Sequence, residues 1–106
     1  MCKKPVRLQL CIDGRCRRVD AELHPAGCMK ATRTHLDIPE DAFPRSIVEV
    51  AARRGYRFHW RYRGGCIYLE DPSGILPAIA ICGDIPRPRG TPLLRRLKKG
   101  RVYLGL

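Results

Sequence analysis

The segment Thr91-Pro-Leu-Leu-Arg-Arg-Leu-Lys-Lys-Gly100 carries the marks of a short helix. The Thr91 hydroxyl suits a cap, Pro92 suits the first helical position, and Gly100 suits the residue just past the end. Leu93, Leu94 and Leu97 then face inward. Upstream, Phe43, Ile47, Val50, Ala51 and Arg54 recur at helical spacing, with Pro44 in the first turn and Gly55 after the end, which predicts a helix over about 43–54. Between these two helices, Tyr56-Arg-Phe-His-Trp-Arg-Tyr-Arg63 alternates with a period of two. Tyr56, Phe58, Trp60 and Tyr62 share one face of that strand and Arg57, His59, Arg61 and Arg63 the other. Gly64-Gly65 interrupts it, Cys66-Ile-Tyr-Leu69 resumes the extended pattern, and Asp71-Pro-Ser-Gly74 turns the chain into Ile75–Cys82. Pro77 marks that last run as an edge strand, because proline has no amide to give a ladder. Residues 41–106 therefore read as helix, antiparallel sheet, helix, an α+β core.

The amino-terminal part has a different grammar. Val6-Arg-Leu-Gln-Leu-Cys-Ile12 and Arg15-Cys-Arg-Arg-Val-Asp-Ala-Glu-Leu23 flank Asp13-Gly14, a pair suited to a two-residue type I′ turn. In such a β-hairpin Ile12 and Arg15 close the ladder. Cys11 and Cys16 then meet at the next, non-hydrogen-bonded pair, where opposing Cα atoms approach closely enough for a disulfide. A competing set of zinc ligands, Cys11, Cys16, His24 and Cys28, lacks the spacing of a zinc ribbon or finger. Cys2, Cys28, Cys66 and Cys82 cannot be paired from sequence. The stretch from His24 to Asp37 reads as a turn-rich connector with a short strand around Met29 to Leu36.

The chain has 106 residues and a mass of 12.1 kDa, the size of one domain. We read residues 1–106 as that single domain, with hairpin and connector in 1–40 and the α+β core in 41–106. Lys and Arg number 21 against 10 Asp and Glu, a net charge of +11 that points to a polyanionic partner. Residues 1–40 carry eight basic and five acidic side chains and residues 41–106 thirteen and five, so the partner is expected to meet the second part. Most of the basic residues are arginine, there is no asparagine, and Gln9 is the one glutamine, a composition that suits heat tolerance. No apolar run approaches the ~20 residues that span a bilayer, and no apolar segment follows the basic start as in a secretory signal. The expectation is a cytoplasmic protein with no membrane partner. Six cysteines in such a setting imply metal or redox chemistry, or the structural disulfides of hyperthermophile proteins.

Several short words in the second part, Gly55-Tyr-Arg-Phe58, Arg63-Gly-Gly-Cys-Ile-Tyr68, Asp71-Pro-Ser-Gly74, and Asp84-Ile-Pro86 with Gly90-Thr91 opening Leu93-Leu-Arg-Arg-Leu-Lys98, resemble the HicA (YcfA-like) toxins. The resemblance covers about residues 43–100. It implies a double-stranded-RNA-binding-domain-like (dsRBD) fold, messenger-RNA cleavage and an antitoxin partner. Where that family has a Gly-Ser-His segment this chain has Gly64, Gly65 and Cys66, so the family's catalytic histidine is missing. A base titrating near neutrality is what such chemistry needs, and His59 is the nearest substitute. His24 and His35 lack a carboxylate or serine partner at a recognisable spacing.

Binding without catalysis is thus the primary expectation. The strand face of Arg57, His59, Arg61 and Arg63 is joined by Arg87, Arg89, Arg95, Arg96, Lys98, Lys99 and Arg101, with no acidic residue after Asp84. Such residues neutralise phosphates and release counterions, and the helix amides behind Thr91 add an anion site. The aromatic row belongs to the core of a sheet covered by helices. RNA is preferred over DNA on the resemblance, and no cofactor is implied. Two alternatives stand beside this reading. One is a divergent ribonuclease using His59. The other is a viral or structural interaction protein whose hairpin and tail Val102-Tyr-Leu-Gly-Leu106 pair with a partner's sheet edge.

Overall fold

The computed structural model describes residues 2–28, 31–53, 56–98 and 100–106. Strand β1 (Lys4–Ile12) turns through Asp13-Gly14 into β2 (Arg15–His24). Both turn residues have positive φ, 51° and 76°, as a type I′ turn requires, and the register puts Ile12 opposite Arg15 and Cys11 opposite Cys16. Strand β3 (His35–Pro39) follows the connector, beginning later than the sequence expectation, and pairs with β2. A single turn of tight helix (Glu40–Ala42) leads into α1 (Arg45–Arg53), the one α-helix among the described residues. Then come β4 (Tyr56–Arg57), β5 (His59–Arg63), β6 (Cys66–Glu70), β7 (Ile79–Cys82), β8 (Leu93–Lys98) and β9 (Arg101–Gly105).

All nine strands join one antiparallel sheet in the order β4-β8-β9-β3-β2-β1-β7-β6-β5. Its two outermost strands, β4 and β5, are separated in sequence by Phe58 alone. Two residues of chain reach about 7 Å at most, so the sheet must curl until its ends come together, and the result is a half-barrel. Strands from both sides of residue 40 interleave, since β1 pairs with β7 and β3 with β9.

Alternation sorts the side chains. Val6, Leu8, Leu10, Val19, Ala21, Leu23, Leu36, Ile38, Ile67, Leu69, Ile79, Ile81, Leu94, Val102 and Leu104 all point inward and are buried. Helix α1 adds Ile47 and Ala51 to this core, beside Phe43.

The α+β, helix–sheet–helix arrangement of a dsRBD-like or HicA-like core is therefore corrected. The segment expected as a second helix is β8, turned by Gly100 into β9. Leu94 lies opposite Leu104 and is buried, Arg95 lies opposite Tyr103 and is exposed, and the register shifts before Lys98 pairs with Arg101. Leucine, arginine and lysine favour helix locally, but a helix here would leave β9 without its ladder on that side, and pairing overrides the preference. The tail expected to seek a partner's sheet edge is β9 itself, paired on both sides within its own chain. Strand β7 is central, between β1 and β6, because Pro77 lies ahead of the strand and removes no ladder bond.

Candidate nucleic-acid interface

The outward face of β5 is built by a local device. Gly64 and Gly65 have φ of 58° and 77°, so the sequence's apparent interruption is a tight hairpin turn between β5 and β6. It sets His59 opposite Glu70, Arg61 opposite Tyr68 and Arg63 opposite Cys66. Phe58 is buried and Trp60 and Tyr62 pack against the core, so the described part of the aromatic row is core as expected. His59, Arg61 and Arg63 are exposed on the other face.

That face continues across the sheet in register. Tyr68 is opposite Ala80 on β7, Ala80 is opposite Cys11 on β1, and Cys11 is opposite and disulfide-bonded to Cys16 on β2. One row thus runs Arg61, Tyr68, Ala80, Cys11, Cys16. Tyr68 is 37% exposed, and the Arg61 guanidinium carbon sits over its ring, 5.5 Å from the centroid. Beyond Tyr68 the row holds only small side chains, and a shallow cleft of about 440 Å³ opens there. Arg61, Tyr68, Glu70, Ala80, Cys11 and Asp13 are among its lining residues. The next row, Arg63, Cys66, Cys82, Gln9, Arg18, contains a second cross-strand disulfide, Cys66–Cys82. Arg18, Arg61 and Arg63 have no ion-pair partner among the described residues.

The remaining basic residues divide into two other places. Arg87, Arg89 and Thr91 line a cleft with Arg33, whose Nη2 donates to the Thr91 carbonyl at 2.8 Å and whose Nε donates to the Leu106 carbonyl at 3.1 Å. Arg87 leans over the Tyr62 ring at 5.8 Å, and Arg89 is exposed. No helix starts at Thr91, so the anion site expected on helix amides there does not exist. Arg95 and Lys98 are exposed on β8, whereas Arg96 is half-buried in an ion pair with Glu40. Arg101 is held by Asp37 at 2.8 Å and by Glu22 at 3.8 Å. Arg57 belongs to β4, where it pairs with Leu93 and not with a strand of the β5–β7 face. Lys99 lies outside the described residues.

The zinc set of Cys11, Cys16, His24 and Cys28 is also corrected, because Cys11 is bonded to Cys16 and Cys28 to Cys2. Bonded sulfurs offer no thiolate to a metal. His24 instead stacks on His35 at 4.6 Å, and His35 meets Tyr103 at 4.5 Å. Glu22, His24 and Asp37 bring their donor atoms within 4.8 Å of one another. Lys3 and Arg101 already neutralise these carboxylates, which makes the group an ion-pair network. His24 Nε2 is buried without a hydrogen bond, 3.7 Å from Glu22 Oε1.

Sequence reasoning missed Tyr68, Glu70, Asp13 and Arg18. Reading Gly64-Gly65 as a hairpin turn supplies the first two, because it fixes which residues of β6 face Arg61 and His59. No protein-family model, curated protein or solved structure matches the chain.

Proposed function

We propose that this protein binds nucleic acid, RNA before DNA, through the outer face of β5 to β7. The observation that carries the reading is the exposed pair Arg61 and Arg63, unpaired by any carboxylate among the described residues and set beside an exposed aromatic ring. Guanidinium forks suit phosphate oxygens, and a tyrosine face suits a base. The net charge of +11 supplies long-range attraction to the same ligand. The preference for RNA has only the short sequence words of residues 43–100 behind it, since the HicA-like fold they imply is overturned by the single curled sheet, and the RNA and DNA arms of the titration below decide it. Three disulfides suit a heat-adapted cytoplasm, as expected from sequence, and suit a secreted protein equally well.

RNA cleavage is a second reading, favoured by one observation. His59 and Glu70 face each other at one end of the cleft, beside Arg61, the residue types that proton transfer near a phosphate would need. A fluorescence-polarisation titration of labelled RNA and DNA at two salt concentrations, with recovered RNA run on a gel, tests both readings. Binding is expected to weaken with salt, with a slope of about −0.7 per phosphate contact on a single strand. Arg61→Glu with Arg63→Glu should make that slope shallower by about 1.4. Undetectable or salt-independent binding would overturn the proposal. Cleaved RNA that stays intact with His59→Ala would instead establish the enzyme.

A further inference from the structure

Resting on the nucleic-acid reading, we infer that this face takes single strands and stacks one unpaired base on Tyr68, over a floor made by Ala80 and the Cys11–Cys16 disulfide. The register carries the argument. The Arg61 guanidinium covers one side of the Tyr68 ring. The next position in the row, on the side away from Arg61, is Ala80, whose methyl stands far lower above the sheet than a ring does. The open side of the ring therefore borders the cleft. Past Ala80 the floor continues as Cys11, whose side chain is tied down to Cys16 on the next strand.

Charge gives the ligand an orientation. Arg61 lines the cleft from the edge strand β5, with Arg63 farther along that strand, while Asp13 and Glu70 line it from the β1–β2 turn and from β6. Phosphates are drawn to the arginines and repelled by the carboxylates, so the backbone follows β5 and the base points over Ala80. Carboxylate oxygens accept hydrogen bonds from the ring and exocyclic N–H groups of a base edge, which a phosphate cannot offer. The cleft, of about 440 Å³, has room for one base over Ala80. A duplex keeps its bases stacked and paired inside, so no ring face is available to Tyr68.

The test compares one single-stranded RNA with the duplex of the same sequence, using polarisation and wild type, Tyr68→Ala and Tyr68→Phe. Tyr68→Ala is expected to weaken single-strand binding about tenfold and duplex binding less than about twofold. Tyr68→Phe keeps the stacking face and should bind like wild type. Equal losses for both ligands, or no loss for the single strand, would overturn the stacking inference while leaving salt-dependent binding in place. If wild type shows no salt-dependent binding to either ligand, the underlying reading fails as well, so the two failures are distinguishable.

Discussion

Asp71 shows how one side chain can position a site it does not touch. It is buried to 4% exposure at the end of β6 and accepts hydrogen bonds from Ser73 N, Ser73 Oγ, Ile75 N and Leu76 N at 2.7–3.0 Å. These bonds shape the loop that brings the chain from β6 back into β7, and so bring Ala80 beside Tyr68. Asp71-Pro-Ser-Gly74 is legible as a turn because aspartate bonding to nearby amides is local chemistry. Asp71→Ala leaves those donors without their acceptor and should cost about 3 kcal/mol in urea unfolding. A loss below about 0.5 kcal/mol would mean that solvent replaces the carboxylate there. By contrast, the role given to Tyr68 depends on a neighbour two strands away in the sheet order, Cys11, which no local pattern announces.

At the scale of elements, the hairpin of β1 and β2 was readable down to its register, since Asp13-Gly14 fixes the turn and the turn fixes the pairs. Helix α1 was readable from its period within one segment, although it begins at Arg45 and not at Phe43, and Arg54 and Gly55, expected at its end, lie outside the described residues. Strand β8 was not. Its leucines and its flanking proline and glycine satisfy a helix pattern, and only the ladder to β9 and the short contact with β4 decide otherwise. The pairing of Cys2 with Cys28 and of Cys66 with Cys82 was equally hidden, the latter because β6 and β7 had no fixed register in sequence. The disulfides should differ in weight. Loop-closure entropy assigns about 3.5 kcal/mol to Cys2–Cys28, with its separation of 26 residues, and about 2 kcal/mol to Cys11–Cys16, with its separation of 5. Denaturant midpoints of the two double-serine variants check this order. A larger loss for Cys11→Ser with Cys16→Ser would show that the hairpin disulfide acts through native contacts as well as through the unfolded chain.

For the molecule as a whole, the charge balance raised the expectation of a polyanionic partner without saying which surface would meet it. The basic residues singled out from sequence separate in space. His59, Arg61 and Arg63 share the outer face of β5, Arg87 and Arg89 stand on a loop, and Arg95 and Lys98 on β8, while Arg96 and Arg101 are taken up by carboxylates. Curling of the sheet makes this division, and curling follows from long-range pairing that a one-dimensional pattern does not contain. The outer face of β5 to β7 brings exposed arginine and a cleft together with an exposed aromatic ring, Tyr68, whereas the ring beside Arg87 and Arg89, Tyr62, is half-buried against the core. The most direct test of that claim is to map amide chemical shifts of the oxidised protein during titration with a short single-stranded RNA. The account predicts that the largest changes fall on His59–Arg63, Tyr68–Glu70 and Ala80, with small changes on β3 and β9. Changes confined to β8, or to the loop carrying Arg87 and Arg89, would contradict it.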